Sequence, residues 1–459
     1  MSGGLSELER RIESGVAVVG VMGLGYVGLP LAMSFCEGVG GAGCGVGRVI
    51  GFDVDEEKVG MLGRGEAYLP HLGEERHRAL VSCGRFEATA DFGRLGEADA
   101  VVVCLPTPLG VHREPDLGFV VRAGEMIGGC LRGGQLVVLE STTYPGTTRG
   151  EFLRAIERGM AAGGGGGGGG FVLGEDWGLA FSPEREDPGN ARHRTGTIPK
   201  LVGGVDERSG RMAAALYRRA VAEVVEVGSA EVAEAAKLLE NIFRAVNIAL
   251  VNEMKVVLTE MGVDVWEVIR AAGTKPFGFM PFYPGPGLGG HCIPVDPFYL
   301  SWKAREVGVA TKFIELAGEV NSAMPGWVVD RVVFGLNEAG KAVRGSRVLV
   351  LGLAYKRDVA DDRESPAFEI IERLRGMGAE VSYSDPHIAR TKRRRAGDLG
   401  MESVELTEGL VGASDAVVVV TDHSSFDWEL IGRSAELIVD ARGVFAAGGY
   451  GARGRVIGA

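Results

Sequence analysis

One cysteine of this chain lies in a loop built largely of glycine and proline. Cys292 follows the run Pro-Gly-Pro-Gly-Leu-Gly-Gly-His at 284–291, and Asp296 comes four residues after it. Glycines let the backbone approach a ligand closely, and prolines fix the loop around them. A thiol presented in this way can act as a nucleophile toward a carbonyl carbon. A free cysteine is more often a small buried hydrophobic residue, but the loop composition favours the nucleophile. We interpret His291 as structural.

A second chemical motif, Gly-Leu-Gly-Tyr-Val-Gly at 23–28, follows an apolar strand-like run and opens a helical stretch. This is the context of a dinucleotide-binding fingerprint: Gly23 permits a tight turn, Gly25 admits the pyrophosphate, and Gly28 allows close packing of helix on strand. Asp53 ends the next strand, where a carboxylate can bind the ribose hydroxyls and would repel a 2′-phosphate. NAD is therefore favoured over NADP. A flavin-binding or non-binding variant of the fold is the alternative.

An NAD enzyme with a nucleophilic cysteine has a natural reaction, the oxidation of an alcohol beyond the aldehyde to the acid through a covalent thioester. Lys237 and Asn241 are four residues apart and share one face of a predicted helix. An ammonium and an amide donor there could stabilise an alkoxide at the reacting carbon. A lysine that is simply solvated on the helix surface is the alternative.

Two further segments follow predicted strands at the edge of the sheet where open α/β folds bind their ligands. They are Thr107 in Cys-Leu-Pro-Thr-Pro, and residues 140–146, Glu-Ser-Thr-Thr-Tyr-Pro-Gly, which contain Thr142. Ordinary turn residues and a helix N-cap would explain the same residue types.

Apolar runs that alternate with helical stretches predict an α/β scaffold of doubly wound sheets. The first set lies at 16–22, 49–53, 100–104, 135–139 and 178–181, and the second at 347–356, 379–385, 415–420 and 436–440. Between the sets, 229–262 contains no proline and no glycine before its end, which predicts one helix of roughly 50 Å. Such a helix exceeds the width of a small domain, so it links two domains or forms a subunit interface.

The composition limits the possible functions. A chain of 459 residues is too long for one core and predicts two or three domains, and a net charge of −12 argues against a nucleic-acid partner. Six cysteines without a CxxC pair indicate neither a disulfide framework nor a metal site, and they fit a reducing cytoplasm. No apolar run of 18 residues is present, so we expect no contact with a membrane. We expect the basic run at 392–395 to be a solvated surface.

Five motifs follow one another along the chain: the fingerprint, the 140–146 segment, the Lys237 and Asn241 pair, the cysteine loop, and Lys-Arg-Asp at 356–358 with Arg-Glu-Ser-Pro at 363–366. Together they resemble the UDP-glucose/GDP-mannose dehydrogenase family. The resemblance covers about residues 16–445. It implies an N-terminal Rossmann-like NAD domain at 1–205, a central helical dimerisation domain at 206–340 and a C-terminal Rossmann-like nucleotide-sugar domain at 341–459. It also implies a four-electron oxidation of the sugar C6 hydroxyl with two NAD⁺, and a homodimer built on the long helix.

The resemblance also implies roles for individual residues. Cys292 would attack the C6 aldehyde, Lys237 and Asn241 would stabilise the oxyanion, and Asp296 and Glu184 would order the hydrolytic water. The implied cofactor contacts are Gly23, Gly25, Tyr26, Val27, Gly28, Asp53, Lys58, Thr107, Thr142 (which would lie between cofactor and sugar) and Arg363. The implied substrate contacts are Glu184, Arg185, Lys237, Asn241, Tyr283, Gly289 and Lys356.

Within that family the segments 182–190, 197–200 and 274–279 resemble the branch that acts on UDP-N-acetylhexosamines, UDP-N-acetylglucosamine first and UDP-N-acetylmannosamine as the near alternative. Val295 stands where the UDP-glucose branch has a lysine, and Lys275 or Pro276 where that branch has an arginine. Two other classes stay open: a two-electron NAD dehydrogenase of the β-hydroxyacid type, which would not need Cys292, and a catalytically inactive NAD-binding protein.

Overall fold

The computed structural model describes residues 3–39, 45–69, 72–110, 114–163, 170–185, 196–290, 293, 295–391, 398–447 and 449–459. His291, Cys292 and the basic run at 392–395 lie outside the described residues. The chain forms two compact units, Met1–Glu240 with Trp302–Gly308, and Asn241–Ser301 with Val309–Ala459. The three domain ranges expected from the sequence stay a prediction.

The first unit is built on an eight-stranded sheet. Its strands are β1 Val18–Met22, β2 Arg48–Phe52, β3 Phe86–Thr89, β4 Ala100–Val103, β5 Gln135–Leu139, β6 Trp177–Phe181, β7 Lys200–Gly204 and β8 Val224–Val227. They lie in the order β3-β2-β1-β4-β5-β6-β7-β8, and every pair is parallel except β6 with β7. The helices are α1 Gly3–Glu13, α2 Gly28–Glu37, α3 Glu56–Gly63, α4 Glu74–Ser82, α5 Gly118–Cys130, α6 Leu153–Ala162 and α7 Glu207–Tyr217, with a 3₁₀ helix at Phe92–Glu97 and a π-helical turn at Thr148–Phe152.

The strand order explains where a ligand can bind in this unit. The chain runs outward from β1 to β3 on one side and then returns to β4 on the other side of β1. This reversal leaves a crevice at the carboxyl ends of β1 and β4, the usual ligand position in open α/β sheets. The four central strands β1, β4, β5 and β6 are apolar and almost wholly buried, so they hold the loops at that edge rigidly.

The long helix predicted at 229–262 is confirmed as α8, Ala230–Glu260. Its 31 residues extend about 46 Å at 1.5 Å per residue. Three helices follow, α9 Val265–Ala272, α10 Asp296–Glu306 and α11 Lys312–Glu338, and Pro325 lies inside the last of them. The segment between α9 and α10 carries the glycine- and proline-rich loop.

The second unit contains a five-stranded parallel sheet in the order β10-β9-β11-β12-β13. Its elements are β9 Arg347–Leu351, α12 Pro366–Gly376, β10 Glu380–Ser384, α13 Glu408–Ala413, β11 Ala416–Val419, α14 Trp428–Ser434, β12 Leu437–Asp440, α15 Val444–Ala447 and β13 Arg455–Gly458. The predicted α/β class with two Rossmann-like sheets and one long helix is confirmed. Among the described residues, no helix is both long and apolar enough to cross a membrane.

Candidate active site

The fingerprint glycines form the turn between β1 and α2. Gly23 has φ +88°, a backbone conformation that side chains rarely adopt, and a Cβ there would lie 2.5 Å from the Cys104 carbonyl oxygen. A Cβ on Gly28 would lie 1.8 Å from the Gly23 carbonyl oxygen, so helix α2 packs directly on the turn. A Cβ on Gly25 would meet nothing within 4 Å. The backbone is thus open at Gly25, where the pyrophosphate is expected at the helix N-terminus.

Asp53 lies directly after β2 and is bonded to the fingerprint turn. Its Oδ2 accepts from the Leu24 amide at 2.9 Å, and its Oδ1 accepts from the Asp55 amide at 3.0 Å. Lys58 Nζ lies 4.0 Å from Asp53 Oδ1 and 3.5 Å from Asp55 Oδ2. Sequence reasoning missed Tyr68, whose hydroxyl donates to the Leu24 carbonyl. Burial, and then the charge of Asp53, raise the pKa of Tyr68, so this donor keeps its proton.

The loops after β4 and β5 are bonded to each other at the crevice. Thr107 Oγ1 donates to the Thr142 carbonyl oxygen at 2.8 Å, and the Leu105 amide donates to Ser141 Oγ at 2.9 Å. The two threonines predicted from their positions after strands therefore lie together. Buried Glu234 of α8 supports the second loop, because its carboxylate accepts from the amides of Gly146 at 2.6 Å and Thr148 at 2.8 Å.

A buried ion pair lies beside this edge, and no role was predicted for its members. Glu140 Oε1 accepts from Lys200 Nζ at 2.9 Å and from the Tyr217 hydroxyl. Burial, and then the charge of Glu140, raise the pKa of Tyr217 well above its usual value. Lys200 is the first residue of β7 and is buried, which is rare for a lysine unless it is paired, as it is here with Glu140.

A cavity of the first unit adjoins this ion pair. The residues that line it come from the start of α2 and from the segments after β5, after β6 and before β7: Val27, Leu31, Glu140, Glu184, Arg185, Ile198 and Lys200. Arg185 Nη1 donates to the Pro199 carbonyl oxygen at 2.8 Å, and its Nη2 is paired with Glu240.

Lys237 is buried and not solvated on the surface of α8. Its Nζ donates to the Glu184 carbonyl oxygen at 2.6 Å and lies 3.2 Å from Glu184 Oε2. Two residues predicted separately, from the helix face and from the family resemblance, are thus in direct contact within the first unit.

In the second unit, Asn241 is also buried, and its Nδ2 donates to Asp296 Oδ2. Asp296 is the first residue of α10 and is buried itself. Two residues predicted separately, an amide on the long helix and a carboxylate after the cysteine loop, are therefore in hydrogen-bond contact within the second unit.

The loop before Cys292 is fixed at two places within the second unit. A Cβ on Gly289 would lie 2.5 Å from Tyr355 Cβ, and the Gly290 amide donates to the Arg363 carbonyl oxygen at 2.9 Å. This brings Gly289 next to the segment that contains Lys356. The Arg363 guanidinium is paired with Asp361 at 2.6 Å. Tyr283 is half exposed and stacks on Trp266, with 5.9 Å between the ring centroids.

At the other end of this loop, Gly285 is held by α8. Its amide donates to Asn252 Oδ1 at 2.9 Å, and its carbonyl oxygen accepts from Lys255 Nζ at 3.0 Å. Asn252 Nδ2 in turn donates to Asn321 Oδ1 at 2.9 Å. Burial, and then the charge of Arg442, lower the pKa of Lys255 to about 7. Sequence reasoning missed this network, although a lysine among apolar helix residues was its visible sign.

The residues of the first unit fit a dinucleotide. The backbone is open at Gly25 and closed at Gly28, a buried carboxylate follows β2, and one buried carboxylate oxygen of Glu140 has no donor among the described residues. Three models of one protein family match consecutive parts of the chain: an NAD binding domain at residues 17–221, a central domain at 231–323 and a UDP binding domain at 349–447.

The chain belongs to the UDP-glucose/GDP-mannose dehydrogenase family. It is 34% identical to the UDP-N-acetyl-D-glucosamine 6-dehydrogenase of Pseudomonas aeruginosa over 409 residues, and this match covers 89% of this chain and 91% of the relative. It is 32% identical to an NDP-N-acetyl-D-galactosaminuronic acid dehydrogenase of Ralstonia nicotianae, over 96% of this chain and 99% of the relative. Its fold is similar to the solved UDP-D-ManNAc dehydrogenase of Pyrococcus horikoshii, with a TM-score of 0.83, 31% identity and coverage of 96% of this chain and 98% of that chain.

These matches confirm three predictions made from the sequence. The protein is an NAD-dependent UDP-sugar dehydrogenase, hence an oxidoreductase, and its cofactor is NAD. It carries a UDP binding domain at its C-terminal part. Membership of this family sets aside the β-hydroxyacid dehydrogenase and the inactive NAD-binding protein as alternatives.

Proposed function

We propose that this enzyme oxidises the C6 hydroxyl of a UDP-N-acetylhexosamine to the uronic acid, with UDP-N-acetylglucosamine as its substrate. Relatives with names of this kind match most of the chain, and Val295 departs from the UDP-glucose branch. The observation that carries the proposal is that four predicted polar residues are buried and in contact within their own units, Lys237 with Glu184 in the first and Asn241 with Asp296 in the second. Buried charges on a helix are costly unless a function or a partner retains them.

We assign the chemistry to these residues as follows. NAD⁺, held at the fingerprint turn and Asp53, would supply a hydride acceptor for each of two oxidations at C6. After the first, the thiolate of Cys292 adds to the aldehyde carbon, and the ammonium of Lys237 stabilises the resulting oxyanion of the thiohemiacetal. Loss of the second hydride leaves a thioester on Cys292. A water ordered by Asp296 and Glu184 attacks the thioester carbonyl, so that the C–S bond breaks and the thiolate returns.

The overall balance follows from these steps. One alcohol, two NAD⁺ and one water give one carboxylate, two NADH and three protons. The covalent thioester prevents release of the aldehyde between the two oxidations. Of the remaining candidates, we propose that Thr142 lies between cofactor and sugar, that Arg185, Tyr283, Gly289 and Lys356 contact the UDP-sugar, and that Arg363 contacts the cofactor.

The test is the number of NADH released per sugar consumed, measured separately with UDP-GlcNAc, UDP-ManNAc and UDP-glucose. We expect two NADH per UDP-GlcNAc. Preferential turnover of UDP-ManNAc would favour the second candidate, which the Pyrococcus horikoshii neighbour supports. One NADH per sugar would reject the four-electron reaction.

The cysteine step has its own test. Cys292→Ser should keep NAD binding, measured by calorimetry, and lose acid formation by several orders of magnitude, because a hydroxyl is a far weaker nucleophile than a thiolate. Cys83→Ser is the matched control, since Cys83 is an exposed free cysteine of the first unit. Uronic acid formed by Cys292→Ser at the parent rate would rule out the thioester.

We also infer that a second copy of the chain covers an apolar stripe on α8. Phe243, Leu250, Met254 and Val257 are exposed and, at 100° per residue, lie within about 60° of one another around the helix. An apolar surface of this kind on one helix is typical of a subunit interface. This supports the homodimer predicted from the helix length. The cytoplasmic location suggested by the cysteine content stays a prediction.

The dimer is tested by Leu250→Glu, which places a charge in the middle of the stripe. Light scattering after size exclusion should give the mass of two chains for the parent and a shift toward one chain for the variant. Val16→Glu introduces the same charge at an exposed valine outside the helix and should leave the mass unchanged. A parent protein that elutes as a monomer at micromolar concentration would refute the inference.

A further inference from the structure

Glu140 presents one carboxylate oxygen that accepts no hydrogen bond from the described part of the chain. The residue follows β5 and is only 1% exposed. Its Oε1 accepts from both Lys200 and Tyr217, whereas its Oε2 is buried and has no hydrogen-bond partner among the described residues. A buried carboxylate oxygen without a donor is unfavourable, so a missing group with an N–H or O–H is expected there.

Charge and geometry both indicate that Glu140 is kept as an oriented carboxylate. The ammonium of Lys200 is buried with it and compensates its charge, and it also lies 5.1 Å from the ring centroid of Tyr217. Because both donors act on Oε1, the second oxygen is left for an external partner. Glu140 also lines the cavity described above, together with Val27, which is the residue before α2.

The position of this cavity identifies the part of the dinucleotide that could reach it. In a sheet of this order the pyrophosphate lies at the start of α2, and the adenine-side ribose lies toward β2, where Asp53 is. The nicotinamide half must then lie on the other side of β1, toward β4 and β5. Glu140 directly follows β5, and the only hydrogen-bond donor on the nicotinamide ring is its carboxamide NH₂.

We propose that Glu140 recognises the nicotinamide carboxamide, with Oε2 accepting one of its N–H groups while Lys200 and Tyr217 hold the carboxylate. Glu140 is thus a cofactor-binding residue that selects the amide substituent of the ring. This inference rests on NAD binding and is independent of which sugar is oxidised.

The test compares three ligands by calorimetry: NAD⁺, its 3-acetylpyridine analogue, in which a methyl ketone replaces the amide, and ADP-ribose, which lacks the ring. A hydrogen bond to a charged group contributes enough binding free energy that the parent should bind NAD⁺ about ten- to a hundredfold more tightly than the analogue. In Glu140→Gln the side-chain amide can donate to the ketone, so this preference should fall to about threefold or less. ADP-ribose should bind parent and variant equally.

Two further variants make the result decisive. Glu223→Gln makes the same chemical change at an exposed position of the first unit and should keep the parent preference. Glu140→Asp keeps the charge but withdraws it by one methylene, and it should also lose the preference. A parent protein that binds NAD⁺ and the analogue equally overturns the proposal whatever the variants do. An unchanged preference in Glu140→Gln or Glu140→Asp, with ADP-ribose binding intact, overturns it as well.

Discussion

Alanine at the two fingerprint glycines Gly28 and Gly25 should weaken NAD binding in both cases but should lower the folding stability only at Gly28. At Gly28 the new Cβ would lie 1.8 Å from the Gly23 carbonyl oxygen, and real Cβ atoms essentially never come within 3.0 Å. The turn or the helix must therefore move by about 1.2 Å, the difference between these two distances. Forcing an extra carbon into a packed contact of this kind costs about 1–3 kcal/mol of folding free energy. We expect Gly28→Ala to lower the stability of the first unit and to abolish NAD binding.

Gly25→Ala should separate binding from stability. Nothing lies within 4 Å of the new Cβ, and Gly25 does not have a positive φ. Alanine there should be neutral or stabilise the protein by up to about 1 kcal/mol, because it reduces the freedom of the unfolded chain. The same methyl group would occupy the space through which the pyrophosphate approaches the backbone, so NAD affinity should fall by at least about tenfold.

Thermal unfolding with and without NAD, together with calorimetric titration, measures both effects. Gly63→Ala is the control, since its Cβ in α3 also meets nothing within 4 Å and Gly63 is no part of the fingerprint. This control should bind NAD normally. Parent-like NAD affinity in Gly25→Ala, or unaltered stability in Gly28→Ala, would refute the assignment of these glycines to the cofactor cradle.

Two other predictions follow from the buried charges. Asp53→Ala should weaken NAD far more than a UDP-sugar, because only the dinucleotide has a ribose at that carboxylate; equal losses in the two titrations would remove Asp53 from this role. Lys255 has its pKa lowered from 10.5 to about 7, so between these values the unfolded chain binds more protons than the folded one. The stability of the parent relative to Lys255→Met should therefore rise by about 1.4 kcal/mol per pH unit above pH 7, and a pH-independent difference in urea unfolding would contradict this.

The strands in the centre of each sheet were predictable from their apolar sequences, and β10 was predicted as well, although its sequence alternates with polar residues. Runs such as 100–104 and 135–139 lie in the centre of the first sheet, where burial on both faces demands such sequences. Strands β3, β7, β8 and β13 escaped prediction. The first and third are only partly buried or exposed, and β7 begins with a lysine and ends with two glycines. Their strand pairing is set by neighbours in the sheet, which local sequence does not reveal.

The residues of the candidate site also fall into those that the sequence predicts and those that it does not. Residues fixed by spacing were found, because Lys237 and Asn241 share a helix face and the fingerprint glycines follow a strand. Their partners could be named only through family resemblance, since Glu184 and Asp296 are 53 and 55 residues from them along the chain. Lys200 and Tyr217 were missed altogether, because their contacts with Glu140 join residues that are distant along the chain and leave no periodic signal. The roles assigned to individual residues stay predictions.

The unbroken length of α8 restricts how this protein can change by insertion and deletion. One residue added between Asn241 and Asn252 would turn the rest of the helix by about 100° and advance it by about 1.5 Å. The contact of Asn241 with Asp296 and the contacts of Asn252 and Lys255 with Gly285 could then not all be kept, so several would be lost in a single event. A substitution in this helix changes one contact at a time, so selection can act on each contact separately. A change in the length of the helix alters several contacts at once. We therefore expect functional descendants of this chain to vary in the loops between elements and to keep the count of residues from 241 to 255 constant.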